Sequence, residues 1–277
     1  MVKIFHWAQY DKEFEHLHGM DFVAKYLIPS TYKLYIGLDW ERAASAMENP
    51  TLRYPAYYTV PHHGLAEGYL SRSQPSAWEF IEYLSRMQHV RPTLLQIAAR
   101  NSPRTVVDLG CGTATTSIQL AQMLPETRLT LVDLSPYELV GARCQAENAG
   151  LAQRARYLHA PAEATGLEGG AMDAVLASLL FHELPRSVAC AVVEEAWRLL
   201  RPDGRFIIFD PIQLALPWQW AERAINIPLG RLIHEVYWME YMSQPIWDVC
   251  RNIGFRQVER RLLVAFPWVY QIVTATK

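Results

Sequence analysis

The chain has 277 residues, of which 51% are hydrophobic and 19% are charged. This composition can supply a sizeable core and excludes a predominantly disordered protein. The formal net charge of −2 at pH 7 gives no reason to expect a nucleic-acid partner. No uninterrupted apolar run approaches the roughly 18 residues of a transmembrane helix, so the sequence predicts no integral membrane span.

The four cysteines lie far apart in the sequence and form no C-x-x-C pair. This spacing favours reduced thiols over disulfides or zinc ligands. The N-terminus lacks the pattern of a signal peptide, so we expect a cytoplasmic protein. No cluster of carboxylates or cysteines has the spacing of metal ligands, and we therefore predict no bound metal.

The N-terminal third, residues 1–100, has a helical pattern and is predicted to form a helical cap on the substrate side of the protein. Asp39 is expected to cap a helix that begins at Trp40. Pro75 and Pro92 are each expected in the first turn of a helix, where the missing N–H of proline has no intrahelical partner to lose.

Residues 54–69 hold four tyrosines, two adjacent histidines and two glycines in 16 positions. Buried phenols and imidazoles need hydrogen-bond partners, so this segment is poor core material. Two interpretations remain open: a surface loop packed on the domain, or one wall of a substrate site. The second interpretation gives three candidate substrate contacts, Tyr57, Tyr58 and Tyr69. It also gives two candidate general bases, His62 and His63.

A strand, a tight turn and a helix are predicted around Gly110. An apolar run ends at Leu109, and small residues follow at alternate positions, Gly110, Gly112 and Ala114. Such a turn lets a ligand approach bare backbone and the free N–H groups of a helix N-terminus. A second apolar strand ends in Asp133, close to the offset at which an acid binds ribose hydroxyls. These features predict a site for a nucleoside-type cofactor.

The pattern D-x-G-x-G-x-[GA] is satisfied by Asp108, Gly110, Gly112 and Ala114, whereas a dinucleotide fingerprint would need Gly or Ala where Thr115 stands. This pattern resembles motif I of the class I S-adenosylmethionine (SAM) methyltransferases. The resemblance extends from about residue 104 to residue 277. It is closest to the ubiquinone- and menaquinone-type C-methyltransferases (methyltransferase types 11 and 25) and their small-molecule relatives. An NAD-dependent oxidoreductase is the weaker alternative.

The resemblance implies SAM as cofactor and S-adenosylhomocysteine (SAH) as product. The turn after Asp108 would hold the methionine end, and Asp133 would bind the ribose. Relatives often have Gly-Asp-Ala-Glu after the third strand, where this chain has Pro161 in place of the adenine-binding aspartate. Adenine recognition would then fall to Glu163, a backbone group or another residue. The complete set of implied cofactor residues is Asp108, Gly110, Cys111, Gly112, Asp133, Leu134, Ala162, Glu163 and Ser178.

After the fourth strand, relatives commonly have His-His-Leu-Pro, and this chain has His182 followed by Glu183. His182 is therefore a candidate base, with a helix-capping or cofactor-packing role as the alternative. Phe181 and Trp238 are added to the predicted substrate contacts.

From residue 101 to 277, strands and helices alternate, which predicts an α/β, Rossmann-like, doubly wound, mostly parallel seven-stranded sheet. Two apolar runs joined by a short link near Pro267 predict a terminal antiparallel hairpin, as in the methyltransferase fold. Residues 212–243 interrupt the pattern with an apolar helical stripe. We interpret this segment as a lid over the substrate cleft, with an amphipathic membrane-surface helix as the alternative.

The function predicted from sequence is SAM-dependent methyl transfer to a small aromatic or lipophilic acceptor. Methylation of oxygen or carbon is favoured, and nitrogen is left open. The alternatives are methylation of a macromolecule, protein or RNA, and SAM binding without catalysis. A homodimer is also left open.

Overall fold

A computed structural model describes residues 34–35, 37–61, 68–72, 75, 82, 85–213 and 236–277. In these parts of the chain seven strands form one sheet in the order β3-β2-β1-β4-β5-β7-β6. The strands are β1 Thr105–Leu109, β2 Arg128–Asp133, β3 Ala155–His159, β4 Met172–Ser178, β5 Leu200–Pro211, β6 Arg256–Ala265 and β7 Trp268–Thr276. Strands β1 to β5 are parallel, and β7 pairs antiparallel with both β5 and β6. This topology confirms the predicted sheet and terminal hairpin.

Helices cover both faces of the sheet. They are α1 Trp40–Ser45, α2 Met87–Ala98, α3 Thr115–Met123, α4 Pro136–Asn148, α5 Arg186–Leu199, α6 Trp238–Ser243 and α7 Ile246–Ile253. Apolar side chains of α2, α3 and α4 form the core on one face, and those of α5, α6 and α7 form it on the other. Strand β1 is buried at four of its five residues, as expected of a central strand with helices on both sides.

Two helix starts in the N-terminal third can be compared with the sequence. Asp39 caps α1, as predicted, with its Oδ1 accepting the Arg42 N–H at 3.1 Å. Pro92, however, lies inside α2 rather than in its first turn. The helix begins five residues earlier because Met87 and Val90 are buried, and packing of an apolar face stabilises a helix more than local propensity does.

Part of the predicted cap and most of the predicted lid, including residues 62–67, 76–81 and 214–235, lie outside the described residues. The end of the predicted lid forms α6, which packs against the short turn Phe181–Glu183 after β4. Among the described residues, no helix is long and apolar enough to cross a membrane.

Asp173 ties the start of β4 to the start of β1. Its Oδ2 accepts the backbone N–H groups of Arg104 and Thr105 at 2.7 and 2.9 Å, and its Oδ1 accepts Nε–H of Arg201 at 2.7 Å. Burial acts to raise the pKa of Asp173, but these hydrogen bonds outweigh it and lower the pKa to about 2. The ionised carboxylate therefore stabilises the folded state.

Replacing this carboxylate tests its contribution to stability. We expect Asp173→Asn to lower the free energy of unfolding at pH 7 by about 1–3 kcal/mol, as for lost charge-assisted hydrogen bonds. Because the folded-state pKa is depressed, the stabilisation is complete above pH 4–5 and is lost as pH falls toward 2, so the deficit of the variant should shrink in acid. Urea denaturation at several pH values measures it. The exposed Asp248→Asn change should cost less than about 1 kcal/mol, and an equal cost in both variants would contradict this account.

Candidate active site

The turn after β1 exposes backbone at the N-terminus of α3. Gly110 and Gly112 have φ values of +63° and +52°, a left-handed conformation that favours glycine. A Cβ at Gly110 would lie 2.6 Å from Cδ1 of Leu180, so the missing side chain allows the turn after β4 to approach. The Cys111 N–H donates to the Val132 carbonyl at 2.9 Å and fixes the turn against β2.

Asp133, the last residue of β2, joins two turns at the edge of the sheet. Its Oδ2 accepts the Gly112 N–H and its Oδ1 accepts the Ser135 N–H, each at 2.8 Å. Ser135 in turn caps α4, with its Oγ accepting the Glu138 N–H at 3.2 Å. Burial of Asp133 raises its pKa to about 6, although the backbone hydrogen bonds oppose the shift.

Asp108 in β1 is the second buried carboxylate of this region. One of its oxygens, Oδ2, accepts the hydroxyl of Ser117. The other, Oδ1, is buried without a hydrogen-bond partner among the described residues. Burial raises the pKa of Asp108 to about 7, and the nearby charge of Asp133 adds to the rise. An unpartnered buried acceptor carries a desolvation cost that a ligand donor would remove.

These carboxylates lie in a cavity of about 1020 Å³, counting the space at its open mouth. The described lining residues are Tyr57, Tyr58, Tyr69, Glu82, Met87, Asp108, Gly110, Cys111, Gly112, Thr115, Thr116, Asp133, Leu134, Glu138, Ala162, Ser178, Leu179, Leu180, Glu183, Leu184 and Phe209.

Most of the predicted cofactor residues meet in this cavity. Eight of the nine line it: Asp108, Gly110, Cys111, Gly112, Asp133, Leu134, Ala162 and Ser178. Glu163 is the exception, because its Oε1 accepts the Tyr57 hydroxyl at 2.7 Å beside the cavity. Tyr57 lines the cavity and Glu163 does not, so Glu163 is next to the cavity through this hydrogen bond, and adenine recognition by Glu163 stays a prediction.

Three of the five predicted substrate contacts, Tyr57, Tyr58 and Tyr69, form what we call the tyrosine wall of the cavity. The Tyr58 ring is stacked between Tyr54 and Tyr69, at centroid distances of 5.9 and 5.4 Å. The wall interpretation of residues 54–69 thus fits the structure better than the surface-loop interpretation, over the part of the segment that is described.

Phe181 and Trp238, the other two predicted substrate contacts, do not line the cavity. Phe181 is 1% exposed and packs edge-to-face on Phe206 in the core. Trp238 is also buried, and its ring packs on Tyr241 and His182. Both side chains pack in the core near the turn Phe181–Glu183, so the structure does not bring these two predicted residues to the cavity.

His182 lies behind the cavity rather than in its lining. Its Nδ1 is 2.6 Å from Oδ1 of the buried Asp210, and its Nε2 is 3.4 Å from Oε1 of Glu183. Asp210 also accepts the Phe181 N–H at 3.1 Å. The structure therefore favours the alternative, structural interpretation of His182 over a base that touches the substrate. His62 and His63 lie outside the described residues.

Sequence reasoning missed two residues that shape the site. Glu183 lines the cavity. The sequence could have indicated it, because this glutamate stands where the family pattern has a second histidine. His159 at the end of β3 accepts the Asn49 N–H at Nδ1, and its Nε2 is 2.8 Å from the Leu134 carbonyl. This ring anchors the segment that leads into the tyrosine wall, and no motif marked it.

Comparison with known proteins identifies the domain that carries this cavity. Residues 106–204 match a family model described as a methyltransferase domain. The chain contains a class I SAM-dependent methyltransferase domain. The match covers β1 to the start of β5, which includes the glycine turn, Asp133 and the turn after β4.

Curated relatives of the methyltransferase domain differ in the acceptor that their names give. A demethylmenaquinone methyltransferase of Thermus thermophilus is 29% identical over 43% of this chain and 53% of its own length. The ribosomal RNA large subunit methyltransferase G of Shewanella amazonensis is 30% identical over 48% of this chain and 39% of its own length. The chain thus spans about half or less of the curated relatives it matches.

The fold of the chain extends beyond this domain match. An O-methyltransferase family protein from Burkholderia thailandensis superposes with a TM-score of 0.61 at 19% identity. The superposition covers 94% of this chain and 71% of the other. At this identity the comparison shows a shared fold.

The residues in the cavity fit SAM, the cofactor of this class of methyltransferase domain. The cofactor has an ammonium group, two ribose hydroxyls and a positively charged sulfonium. Asp108 offers its unpartnered Oδ1 as an acceptor. The Asp133 carboxylate lines the same cavity beside the glycine turn, whose glycines have no side chains to block a ligand. Among the described residues no group of three potential metal ligands is present.

Replacing Asp133 tests its role toward the nucleoside. We expect Asp133→Asn to weaken SAH binding by about 1.5–3 kcal/mol, the cost of a lost charge-assisted hydrogen bond. Isothermal titration calorimetry measures this change. Asp173→Asn, which removes a carboxylate at the opposite end of the strands, should leave the affinity unchanged. Similar SAH affinities in the wild type and Asp133→Asn would contradict the assignment.

The raised pKa values predict that cofactor binding weakens in acid. As pH falls from 7.5 to 5, Asp108 and Asp133, with pKa values of about 7 and 6, take up protons and lose acceptor capacity. The Kd for SAH should therefore rise over this range, and the rise should be smaller in Asp133→Asn, which retains only Asp108. Calorimetry at four or five pH values checks both statements, and a Kd independent of pH would contradict them.

Proposed function

We propose that the chain is a SAM-dependent methyltransferase that acts on a small aromatic or lipophilic acceptor. The observation that carries this proposal is the continuity of one cavity. The glycine turn and Asp133 form one part of its lining, and the tyrosine wall and apolar residues such as Leu184 form another. An acceptor held against the tyrosine wall would therefore lie in the same cavity as the cofactor.

The reactive group comes from SAM, which when bound supplies an electrophilic methyl group on its sulfonium. The task of the protein is to hold and orient both molecules and to exclude water. Burial raises the pKa of Tyr57 and Tyr58 far above the usual value for tyrosine, so both phenols stay neutral. The tyrosine wall therefore offers flat apolar surface and hydroxyl groups rather than negative charge.

The cavity supports a small acceptor over RNA, although one relative is named as a ribosomal RNA methyltransferase. No lysine or arginine is among the described residues that line it, and five carboxylates are. RNA binding usually depends on cationic side chains that contact phosphates. An acidic cavity would repel the backbone of a nucleic acid that approached the reactive centre.

Activity is tested directly with radiolabelled SAM. We expect the protein to bind SAH and to transfer label to at least one member of a panel of small aromatic and lipophilic alcohols, phenols and amines. Tyr58→Ala should lower transfer at subsaturating acceptor at least about tenfold, because it removes the central ring of the stack. Its SAH affinity, measured by calorimetry, should change less.

Two outcomes would contradict the proposal. Absence of SAH binding would exclude SAM-dependent catalysis. Labelling of RNA or protein fractions, with none of the small-molecule panel, would assign the alternative, macromolecular acceptor.

A further inference from the structure

The charges that line the cavity have one sign. Among the described lining residues, five carry carboxylates: Glu82, Asp108, Asp133, Glu138 and Glu183. None of the described lining residues is a lysine, arginine or histidine. A low-dielectric cavity strengthens the interaction of these groups with a charged ligand. An anionic acceptor, such as a carboxylate or a phosphate, would be repelled.

Three of these five carboxylates have roles that do not involve the acceptor. Asp108 and Asp133 face the cofactor in the proposed function. Glu82 is paired with Arg91, whose Nη2 lies 2.5 Å from its Oε1, and both side chains are mostly buried. The charge of Glu82 is therefore compensated within the protein.

Glu138 also belongs to the cofactor side. It lies in the first turn of α4, and a Cβ at Gly112 would be 3.8 Å from its Oε2. Glu183 lies elsewhere, in the turn after β4 and beside the cavity-lining Leu180 and Leu184. It is thus the carboxylate placed toward the acceptor.

The Glu183 side chain is mostly buried, with His182 behind it. It is 6% exposed, and its Oε1 is 3.4 Å from Nε2 of His182, whose other nitrogen contacts Asp210 at 2.6 Å. Asp210 is completely buried at the end of β5. His182 and Asp210 therefore lie behind the Glu183 carboxylate without lining the cavity themselves.

The tyrosine wall is an independent feature of the same cavity. Because Tyr54 and Tyr69 stack on the Tyr58 ring, the rings of the wall that are left to contact a cation are Tyr57 and Tyr69. Neutral tyrosine rings bind cations on their faces, and together with a buried carboxylate they form an environment suited to an organic ammonium group. The unpartnered Oδ1 of Asp108, in a residue that is 2% exposed, shows that the same cavity already presents a buried acceptor for a donor ligand.

We infer that the acceptor is an amine, bound as its ammonium form by Glu183 in the cavity that the tyrosine wall also lines, and that nitrogen is the methylated atom. This inference rests on the proposed function and narrows its substrate class. When the ammonium nitrogen gives one proton to the Glu183 carboxylate, the carboxyl group becomes neutral and the nitrogen lone pair is freed. The lone pair would then form an N–C bond to the methyl group of bound SAM, whose S–C bond would break to leave neutral SAH and an N-methylated ammonium. The sequence analysis favoured oxygen or carbon as the methylated atom and left nitrogen open; this inference selects nitrogen.

Three probes of matched shape test the inference: 2-phenylethylamine, 2-phenylethanol and phenylacetate, which are cationic, neutral and anionic at pH 7.5. Binding is measured by calorimetry with the protein saturated with SAH and again without SAH. We expect the amine to bind at least about tenfold more tightly than the alcohol, and phenylacetate to bind most weakly.

Variants of Glu183 identify the group responsible. Glu183→Gln keeps the shape, removes the charge and should reduce the preference for the amine to less than about threefold. Glu183→Asp retains the charge and should retain most of the preference. Glu194→Gln, an exposed change on α5, should match the wild type. The SAH affinity of each variant serves as the check that the cavity is folded.

The inference is overturned if the three probes bind equally, including no binding by any of them, or if the amine preference survives in Glu183→Gln. Failure of the proposed function has a different signature. In that case SAH does not bind, while the ranking of the three probes in the protein without SAH still decides whether the cavity selects an amine.

Discussion

The site depends on one carboxylate, that of Asp133, which accepts backbone N–H groups from two different turns. Through Gly112 it fixes the turn after β1, and through Ser135 it fixes the start of α4. Both turns contribute to the cavity, so their relative position is set by a single buried side chain. Burial of that carboxylate costs free energy, and the two hydrogen bonds offset part of the cost. In the proposed function a bound ribose would offset more of it, so the same residue would stabilise the turns and bind the cofactor.

The sequence predicted the features that local patterns determine. The glycine turn, the cap of α1 and the terminal hairpin each follow from short-range propensity and spacing, and each is present. Eight of the nine predicted cofactor residues line the cavity for the same reason, because the carboxyl ends of parallel strands meet at one edge of the sheet.

The predicted site residues that do not line the cavity differ from the others in side-chain direction. In the turn Phe181–Glu183, consecutive residues point to different sides, and only Glu183 lines the cavity. Which residue of such a turn faces a ligand is decided by packing on distant elements, here Phe206 for Phe181 and Asp210 for His182. Trp238 is likewise oriented by its contacts with His182 and Tyr241. No motif or periodicity in a single sequence carries that information, and the same holds for the role of His159.

The order of the last two strands affects how the sheet is completed during synthesis. Strand β7 lies between β5 and β6, so β6 is joined to the rest of the sheet through β7 alone. On the ribosome, β6 emerges before β7 and has no partner in the sheet until residues 268–276 are available. Until then the edge of β5 that later pairs with β7 stays open to other strands. Asp210, which contacts the turn Phe181–Glu183, is part of this strand. The nascent chain therefore carries an exposed edge next to its reactive centre until its final strand is made.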